Sequence, residues 1–280
     1  MAAFFFLAAL FTLYSSKRAL TVTNTEFPYS SSGAAQVQVL TVNDQNQRFV
    51  VIGDVHGCTE SLDRLIEKLD LGETDKVIFA GDLVAKGPDT HGVLRRAKEL
   101  NALCVRGNND DEVLRWRQYI RLVGEENIDK KNLPKGLSFG EHQELASTLP
   151  EELLDYLESC PVILSIPQYD LLVVHGGMDP ARSIEAQDEY VVMNIRNILD
   201  NGDPTRRTSP GTSWSKVWER AQEKSDHPIT VVYGHAAARG LKIRKYSKGL
   251  DTGCYKGDRL TAMSFPSQDL TDVKCHKHSL

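Results

Sequence analysis

The sequence lacks several features that would mark whole classes of protein. No Cys-x-x-Cys pair occurs, which excludes a zinc knuckle or a thioredoxin-type redox site. No apolar run reaches the roughly 20 residues that span a bilayer, so a multi-span membrane protein is excluded. Basic residues are too few for a general polyanion binder, because 33 lysines and arginines stand against 38 acidic residues, a net charge of −5. A polyanionic substrate would need a local basic pocket or a metal ion.

What is present is typical of a soluble globular chain. Hydrophobic residues make up 41% and charged residues 25% of the 280 positions, which excludes a disordered chain, a coiled coil and a collagen-like repeat. The five cysteines are odd in number and widely spaced, and a disulfide scaffold is not expected at this length. We therefore predict free thiols in or near a core.

An apolar segment opens the chain. Ala2–Tyr14 is almost wholly apolar and is followed by two basic residues, but it is shorter than a membrane span. We predict a leader over 1–18, either a signal peptide or a signal-anchor, that directs the protein to the secretory pathway or attaches it to a membrane. A start codon assigned too early is the alternative, and it would leave the protein in the cytoplasm. A polar linker over 19–47 follows, with an edge strand at Val37–Val42.

From residue 48 the pattern changes to strands that alternate with helices. Short apolar runs that stop at glycine predict strands, and apolar residues at helical spacing predict helices between them. The predicted strands are Arg48–Ile52, Lys76–Ala80, Ala102–Val105, Val162–Ile166, Leu171–Val174, Thr230–Tyr233 and Leu260–Phe265, and the first helices are Thr59–Leu69 and Val93–Leu100. This order implies βαβ units and a largely parallel sheet. We predict one catalytic domain over 48–266 and a tail of loop over 267–280.

Polar clusters flanked by glycine follow five of these strands. The clusters are Gly53–Gly57, Gly81–Pro88, Arg106–Asp110, His175–Gly177 and Gly234–Ala236. Because strand carboxyl ends lie along one edge of an α/β sheet, the clusters can converge on one site. Asp, His and Asn suit hard and borderline divalent cations, and two such ions about 3.5–4 Å apart suit in-line attack on phosphorus. The residues therefore predict a two-metal hydrolase of phosphate esters or anhydrides.

The remaining histidines lack such a context. We interpret them as ordinary surface or helix histidines: His91, His142, His227, His276 and His278.

In kind and order, the clusters resemble the motifs of the calcineurin-like metallophosphoesterases, and within them the phosphoprotein phosphatase superfamily. The resemblance implies an α/β fold, a four-layer αββα sandwich of two mixed β-sheets flanked by helices. It assigns metal ligation and catalysis to the same six residues: Asp54, His56, Asp82, Asn108, His175 and His235. The first three would hold one ion, and Asp82 with the last three would hold the other. The ions would be zinc, manganese, cobalt or iron, and a water bridging them would be the nucleophile.

The sequence departs from the protein phosphatases at two positions. Their motif GDxVDRG reads GDLVAKG here, so Ala85 replaces the aspartate that orients their general acid; GNHE reads GNND, so Asn109 replaces that acid, a histidine. A phosphate leaving group, with a second pKa of about 6, needs an acid much less than an alkoxide does. The site therefore suits phosphoanhydrides better than phosphoproteins. Asp110 could replace the acid in part, but we interpret it as a group that supports the ligands from behind.

Further motifs point to one group within this superfamily. The GDLVxKGP form is typical of the ApaH-like phosphatases, relatives of bacterial diadenosine tetraphosphatase, and the tract 233–263 agrees. With the apolar leader, the chain is most similar to fungal vacuolar endopolyphosphatases, which implies internal cleavage of inorganic polyphosphate in the vacuole. The alternatives are a bis(5'-nucleosyl)-tetraphosphatase or mRNA-cap-like pyrophosphohydrolase, a serine/threonine protein phosphatase and a metal-binding pseudophosphatase. No specific nucleic-acid binding is expected.

Three basic residues beside the motifs are candidates for binding the substrate. Lys86 replaces the family's phosphate-binding arginine, which keeps the charge but loses the bidentate fork. Arg106 and Arg239 adjoin ligand motifs. A further basic group, Lys130, Lys131 and Lys135, is interpreted as a solvated helix end.

Overall fold

The computed structural model describes residues 33–42 and 47–277. The predicted leader over 1–18 lies outside these ranges. Within them, none of the helices combines the length and the apolar character needed to span a bilayer.

Strands and helices alternate through most of the described chain. The strands are β1 (Val37–Val39), β2 (Phe49–Ile52), β3 (Lys76–Phe79), β4 (Leu103–Cys104), β5 (Ile163–Ile166), β6 (Leu171–Val174), β7 (Asn197–Ile198), β8 (Pro204–Thr205), β9 (Thr212–Ser213), β10 (Thr230–Tyr233), β11 (Lys242–Ile243), β12 (Ser247–Gly249), β13 (Arg259–Phe265) and β14 (Leu270–Lys274). The α-helices are α1 (Thr59–Leu69), α2 (Thr90–Glu99), α3 (Asn108–Val123), α4 (Glu141–Thr148), α5 (Glu151–Ser159), α6 (Glu189–Asn194) and α7 (Trp214–Gln222). Short 3₁₀ helices lie at Glu125–Asn127, Pro167–Tyr169, Ala237–Arg239 and Cys254–Lys256.

Two mixed sheets form the centre of the molecule. One has the strand order β1-β5-β6-β10-β12-β11 and the other the order β14-β13-β2-β3-β4. The β2–β3 and β3–β4 pairs are parallel, as βαβ units require, but β13 runs antiparallel to β2. The mixed sheets implied by the resemblance are confirmed, and the largely parallel sheet read from the element order is too simple. A third sheet, β8-β7-β9, is not among the predicted elements, because strands of two residues leave no periodic pattern in the sequence.

The alternation of side chains along β2 shows how the layers form. Phe49 and Val51 pack into a core between the two sheets, while Val50 and Ile52 point the other way, into a core shared with the helices. Leu62 of α1 belongs to this second core. All four β2 residues are buried, so the strand lies between layers on both faces.

A third core covers the outer face of the six-stranded sheet. Leu172 and Val174 of β6 pack there with Met193 of α6 and Trp214 of α7. The order from one side to the other is therefore helices, sheet, sheet, helices. This confirms the predicted four-layer αββα sandwich.

Both segments that flank the predicted catalytic domain contribute a strand. The predicted edge strand is present as β1, which pairs in parallel with β5 at one edge of the six-stranded sheet. The tail predicted as loop instead contains β14, whose Asp272 lies opposite Thr261 of β13. The loop prediction is wrong because β14 is a half-exposed edge strand of mixed composition, which gives little alternation of hydrophobic and polar residues.

The cysteines correct another prediction. Cys104–Cys160 and Cys254–Cys275 form disulfides, each with a Cα–Cα distance of 5.2 Å, and only Cys58 is free and buried. The prediction of free thiols is wrong for four of the five because spacing along the chain does not report which cysteines the fold brings together.

Candidate metal centre

Five strand ends bring the six predicted ligands to one place, which we call the metal centre (Asp54, His56, Asp82, Asn108, His175 and His235). The loops after β2, β3, β4, β6 and β10 carry them. Nε2 of His56 and Nε2 of His175 each lie 3.4 Å from Oδ2 of Asp82. Asn108 Oδ1 lies 3.1 Å from His175 Nε2, and the His235 backbone N–H donates to Asp54 Oδ1 at 3.0 Å. The carboxyl edges of both sheets therefore converge as the sequence predicts.

The backbone at the metal centre is unusually constrained. His56, Asp82 and His235 have φ values of 47°, 51° and 69°, in the left-handed region that non-glycine residues rarely adopt. A Cβ at Gly234 would collide with Oδ1 of Asp54, and one at Gly107 would collide with Oδ1 of Asp82. These glycines let neighbouring backbone approach the two carboxylates closely. Strain of this kind concentrates at functional sites.

Three of the predicted ligands form a candidate site for one cation. One ligand atom each from Asp54, His56 and Asp82 lies within 4.8 Å of the others, and all three residues are buried. Burial raises the pKa of Asp54 well above its usual range, and the charges of Asp251 and Asp82 raise it further. Burial lowers the pKa of His56. A neutral imidazole is the form that ligates metal.

The other predicted ligands lie around Asp82, which the sequence assigns to both ions. Burial favours the neutral form of Asp82, but the charges of His175 and His56 outweigh it and hold the pKa of this carboxyl well below its usual range. Burial alone would lower the pKa of His175, yet Asp82 and Asp54 raise it to about 10. The ring of His235 lies 5.0 Å from that of His175, centroid to centroid, and burial lowers its pKa well below the usual range.

Backbone carbonyls fix the orientation of all three imidazoles. Nδ1 of His56 lies 3.0 Å from the Val84 oxygen, and Nδ1 of His175 lies 2.9 Å from the Ala80 oxygen. Nε2 of His235 lies 3.2 Å from the oxygen of Asn194. A ring N–H that donates to a carbonyl fixes the orientation of the ring, as in most histidine metal sites, and makes the other nitrogen the candidate ligand atom. The oxygen and imidazole donors, and the negative charge that raises the His175 pKa, fit hard and borderline divalent cations.

Asp110 holds two ligand loops together. Its carboxylate accepts hydrogen bonds from four backbone amides, those of Asp82, Leu83, Val84 and Gly107, at 2.8–3.3 Å. Burial, with the charge of Asp82, raises its pKa to about 6. Because both carboxylate oxygens are already occupied, the geometry agrees with the interpretation that Asp110 supports the ligands from behind.

The three predicted substrate-binding cations lie in different surroundings. Lys86 Nζ is 3.2 Å from His56 Nε2 and lies inside the metal centre. Arg106 donates to the Glu158 carbonyl at 2.9 Å and lies near Asp111 and Glu189. Arg239 donates to the Arg196 carbonyl at 3.0 Å, to Ser213 Oγ at 2.8 Å and to Asn197 Oδ1 at 2.7 Å. The structure thus brings Lys86 to the ligands and engages both arginines in contacts with loops and helices.

Several residues at the site were not predicted from the sequence. Asp251 is buried, and its charge acts on Asp54. Arg196 donates to the His235 carbonyl at 3.3 Å. The Tyr255 ring packs edge-on to His56 with centroids 4.9 Å apart, and Nε2 of His142 lies 3.0 Å from Oδ1 of Asn109. Of these residues, only Asp251 could have been predicted from the sequence, because it lies in a glycine-flanked polar cluster after a strand.

Known proteins are similar to this chain in sequence and fold. The profile of the family described as calcineurin-like phosphoesterase matches residues 47–265. A bis(5'-nucleosyl)-tetraphosphatase PrpE [asymmetrical] from Oceanobacillus iheyensis is 25% identical, with 80% of this chain and 90% of that protein covered. A zinc-dependent endopolyphosphatase from Saccharomyces cerevisiae is 28% identical, with 79% and 77% covered.

A solved structure described as a candidate diadenosine tetraphosphatase is also similar. It is 31% identical, with a TM-score of 0.73, over 87% of this chain and all (100%) of that one. The family profile covers most of the chain, and the buried Asp54, His56 and Asp82 supply a candidate metal site. This chain belongs to the calcineurin-like phosphoesterases and is a metal-dependent phosphatase.

Proposed function

We propose that this phosphatase hydrolyses phosphoanhydride bonds and that it cleaves inorganic polyphosphate internally, with two divalent ions at the metal centre. The observation that carries the proposal is the chemistry at positions 85 and 109. Ala85 is buried and donates its backbone N–H to Thr90, and the Asn109 amide donates to Asp82 Oδ2 at 2.6 Å. Neither residue can protonate a leaving group. A phosphate leaving group tolerates this far better than the alkoxide of a phosphoserine does.

In this proposal, the ligand residues and Lys86 have different roles in hydrolysis. Bound divalent ions supply the Lewis acidity that polarises the phosphoryl group and makes water nucleophilic. The six ligands hold their positions through backbone carbonyls and strand-end loops. Lys86 adds a positive charge beside His56, where it would pair with a non-bridging oxygen of the substrate. The zinc-dependent endopolyphosphatase of yeast is the relative that supports polyphosphate as the substrate.

A second candidate, hydrolysis of dinucleoside tetraphosphates, is favoured by Tyr255. Its ring lies beside His56, and the Lys86 Nζ lies 5.1 Å from the ring centroid. An aromatic face next to a phosphate site can stack a nucleobase, which contributes about 1–3 kcal/mol per base. The PrpE relative and the similar solved structure carry names of tetraphosphatases.

A matrix of metals and substrates tests the two candidates. The full chain is assayed with zinc, manganese, cobalt or magnesium against long-chain polyphosphate, diadenosine tetraphosphate and a phosphoserine peptide. We expect polyphosphate to shorten through intermediate lengths without any nucleoside. Strict dependence on a nucleoside would favour the tetraphosphatase instead. Efficient hydrolysis of the phosphoserine peptide would contradict the argument from the leaving group.

The variant Tyr255→Leu separates the candidates further. Loss of a stacked base should lower kcat/KM on diadenosine tetraphosphate about tenfold or more while cleavage of polyphosphate changes little. Tyr190→Leu, at a surface tyrosine that is 37% exposed, is the matched control. Equal effects of Tyr255→Leu on both substrates would assign the ring a packing role against His56.

We also propose that the protein works in an oxidising compartment of the secretory pathway, such as the vacuole. The two disulfides support this location, because structural disulfides persist in oxidising compartments and are rare in the cytosol. Protein isolated from its own cells, denatured without reductant, should therefore show one free thiol, that of Cys58, per chain. Five free thiols in that sample would place the protein in a reducing compartment.

A further inference from the structure

One histidine outside the metal centre is connected to it by hydrogen bonds. His142 is the second residue of α4, and its Nε2 lies 3.0 Å from Oδ1 of Asn109. The Asn109 amide donates in turn to Asp82 Oδ2 at 2.6 Å, and the Asn109 backbone N–H donates to Asp82 Oδ1 at 2.9 Å. A single chain of hydrogen bonds therefore runs from the imidazole of His142 to the carboxylate that both groups of ligands share.

A carboxylate lies behind the same imidazole. Nδ1 of His142 is 3.9 Å from Oε2 of Glu112, a residue of α3. The His142 side chain is 21% exposed and that of Glu112 is 28% exposed, so water and small ligands can reach the pair. Because the amide oxygen of Asn109 can only accept a hydrogen bond, the contact at Nε2 requires the proton on that nitrogen, and the ring donates it toward Asn109 and the metal centre.

The start of α4 is anchored to the metal centre by a neighbouring residue. The two carboxylate oxygens of Glu141 accept the backbone N–H of Lys86 at 2.9 and 3.0 Å. Lys86 belongs to the loop that carries Asp82. The position of His142 is thus set by the same loop that positions the proposed shared metal ligand, and α4 also packs against α3. We call these four residues, Asn109, Glu112, Glu141 and His142, the α3–α4 rim.

We propose that Asn109 and His142 form a subsite for the leaving phosphate of a phosphoanhydride substrate. The proposal rests on the proposed function above and specifies which residues make it selective. The side chain of asparagine is short, and His142 lies one hydrogen bond farther from Asp82 than Asn109 does. The non-bridging oxygens of a leaving phosphate likewise lie farther from the reacting phosphorus than the bridging oxygen does. The Nε2–H donor of His142, which is farther from Asp82 than Asn109 is, is therefore placed to reach a non-bridging oxygen of a leaving phosphate.

In the proposed reaction, His142 donates a hydrogen bond to the leaving phosphate and transfers no proton. The oxygen of water forms a bond to the reacting phosphorus, and the bridging P–O bond breaks with its electron pair on the leaving phosphate. The proton of the water passes to solvent. The Nε2–H of His142 exchanges its bond with Asn109 Oδ1 for one with a non-bridging oxygen that gains charge. A monoester of an alcohol or a phenol offers no such oxygen.

Three variants and two substrates test the subsite. His142→Phe keeps a ring and removes the donor, His142→Gln restores a neutral donor near the position of Nε2, and His227→Phe is the control at an exposed histidine before β10. The substrates are inorganic tripolyphosphate and p-nitrophenyl phosphate. We expect His142→Phe to lower kcat/KM on tripolyphosphate about 10- to 100-fold, the effect of a hydrogen bond to a charged group. Hydrolysis of p-nitrophenyl phosphate should change less than about threefold, and His142→Gln should recover part of the loss.

Product inhibition gives a second measurement. Pyrophosphate extends from the reacting position into the leaving-phosphate subsite, whereas orthophosphate does not need it. His142→Phe should therefore weaken inhibition by pyrophosphate about tenfold or more relative to inhibition by orthophosphate. Metal content and the thermal unfolding midpoint, measured on each variant, show whether the metal centre and the fold are intact.

Any other pattern of losses overturns the proposal, and each pattern points to a different role for His142. An equal loss on both substrates assigns His142 a structural role through Asp82, and a larger loss on p-nitrophenyl phosphate assigns it the role of a general acid. No loss on either substrate removes it from the site. If the unmodified chain cleaves neither tripolyphosphate nor long-chain polyphosphate, the proposed function fails and the subsite fails with it. If it cleaves only the long chain, the same comparison of variants is made with long-chain polyphosphate in place of tripolyphosphate. If the unmodified chain cleaves tripolyphosphate but His142→Phe does not lose more activity on it than on p-nitrophenyl phosphate, only the subsite is refuted and the proposed function stands.

Discussion

The metal centre and the α3–α4 rim hold their side chains by different means. The metal centre takes five of its ligands from loops at the ends of strands and the sixth, Asn108, from the first residue of α3, and backbone carbonyls orient its three imidazoles. The rim takes its residues from two helices, and pairs of side chains hold it together, such as His142 with Asn109. Asp82 is buried, whereas the His142 side chain is 21% exposed. The first arrangement defines the chemistry, and the second can change while the chemistry stays the same.

This difference explains why the two regions respond differently to substitution. A ligand at the metal centre needs one residue type and, at three positions, a left-handed backbone. A residue of the rim needs only a donor or an acceptor at a suitable distance. We therefore expect large effects at the metal centre, effects on stability at the disulfides that join its framework, and smaller effects outside it.

The largest effect is expected from Asp82→Asn, which keeps the shape of the shared ligand and removes its charge. Loss of bound metal should lower hydrolysis of any substrate by more than about 10³-fold, because the metal supplies several kcal/mol of transition-state stabilisation. Elemental analysis should show depleted metal at unchanged far-UV circular dichroism. Asp63→Asn, at a carboxylate of α1 that is 42% exposed, is the control. A fully metal-loaded and active Asp82→Asn protein would contradict the assignment of this residue.

The next effect is on stability and comes from the disulfides. Cys104–Cys160 closes a loop with a sequence separation of 56 and Cys254–Cys275 one of 21. Paired serine substitutions should lower the free energy of unfolding by about 4 kcal/mol for the first disulfide and about 3 kcal/mol for the second, from loop-closure entropy. Denaturant unfolding of the two double variants measures both losses. Metal content should stay at the level of the unmodified chain, and unchanged stability in both variants would indicate that the disulfides do not form.

A third change tests the close packing at the metal centre itself. Gly234→Ala places a methyl group against Oδ1 of Asp54 and should displace that ligand. Metal affinity and activity should fall about 10- to 100-fold, as they do when a group that orients a ligand is lost. Gly72→Ala is the matched control, since its methyl group would meet only Asp75 at an ordinary 3.7 Å. Equal affinities of the two variants would show that the loop after β10 adapts to a side chain.

The same contrast explains what could be predicted from the sequence. That the six candidate ligands lie together could be predicted because each belongs to a local motif that follows a strand, and strand ends meet at one edge of a sheet. The four layers followed from the resemblance, and β1 was predicted from a short apolar run. His142 was interpreted as an ordinary histidine because 33 residues separate it from Asn109, and only the fold brings the two side chains into contact. The disulfides and β14 were missed for a related reason, since pairing across the fold leaves no local pattern.

The smallest effect is expected at Arg117, which joins the helices behind the rim without contacting a ligand. Its side chain is 4% exposed and bonds to Glu158 at 2.8 Å and to Glu151 and Asp155, so it connects α3 to α5. Arg117→Met should lower the free energy of unfolding by about 1 kcal/mol, because part-buried hydrogen bonds are lost whose carboxylate partners are themselves largely exposed to water. Arg121→Met, where the side chain is 55% exposed, should cost less than about 0.5 kcal/mol. Metal affinity should stay unchanged in both variants. A loss of metal in Arg117→Met would show instead that the packing of α3 reaches the ligand Asn108 at its first turn, and that the two regions are mechanically coupled.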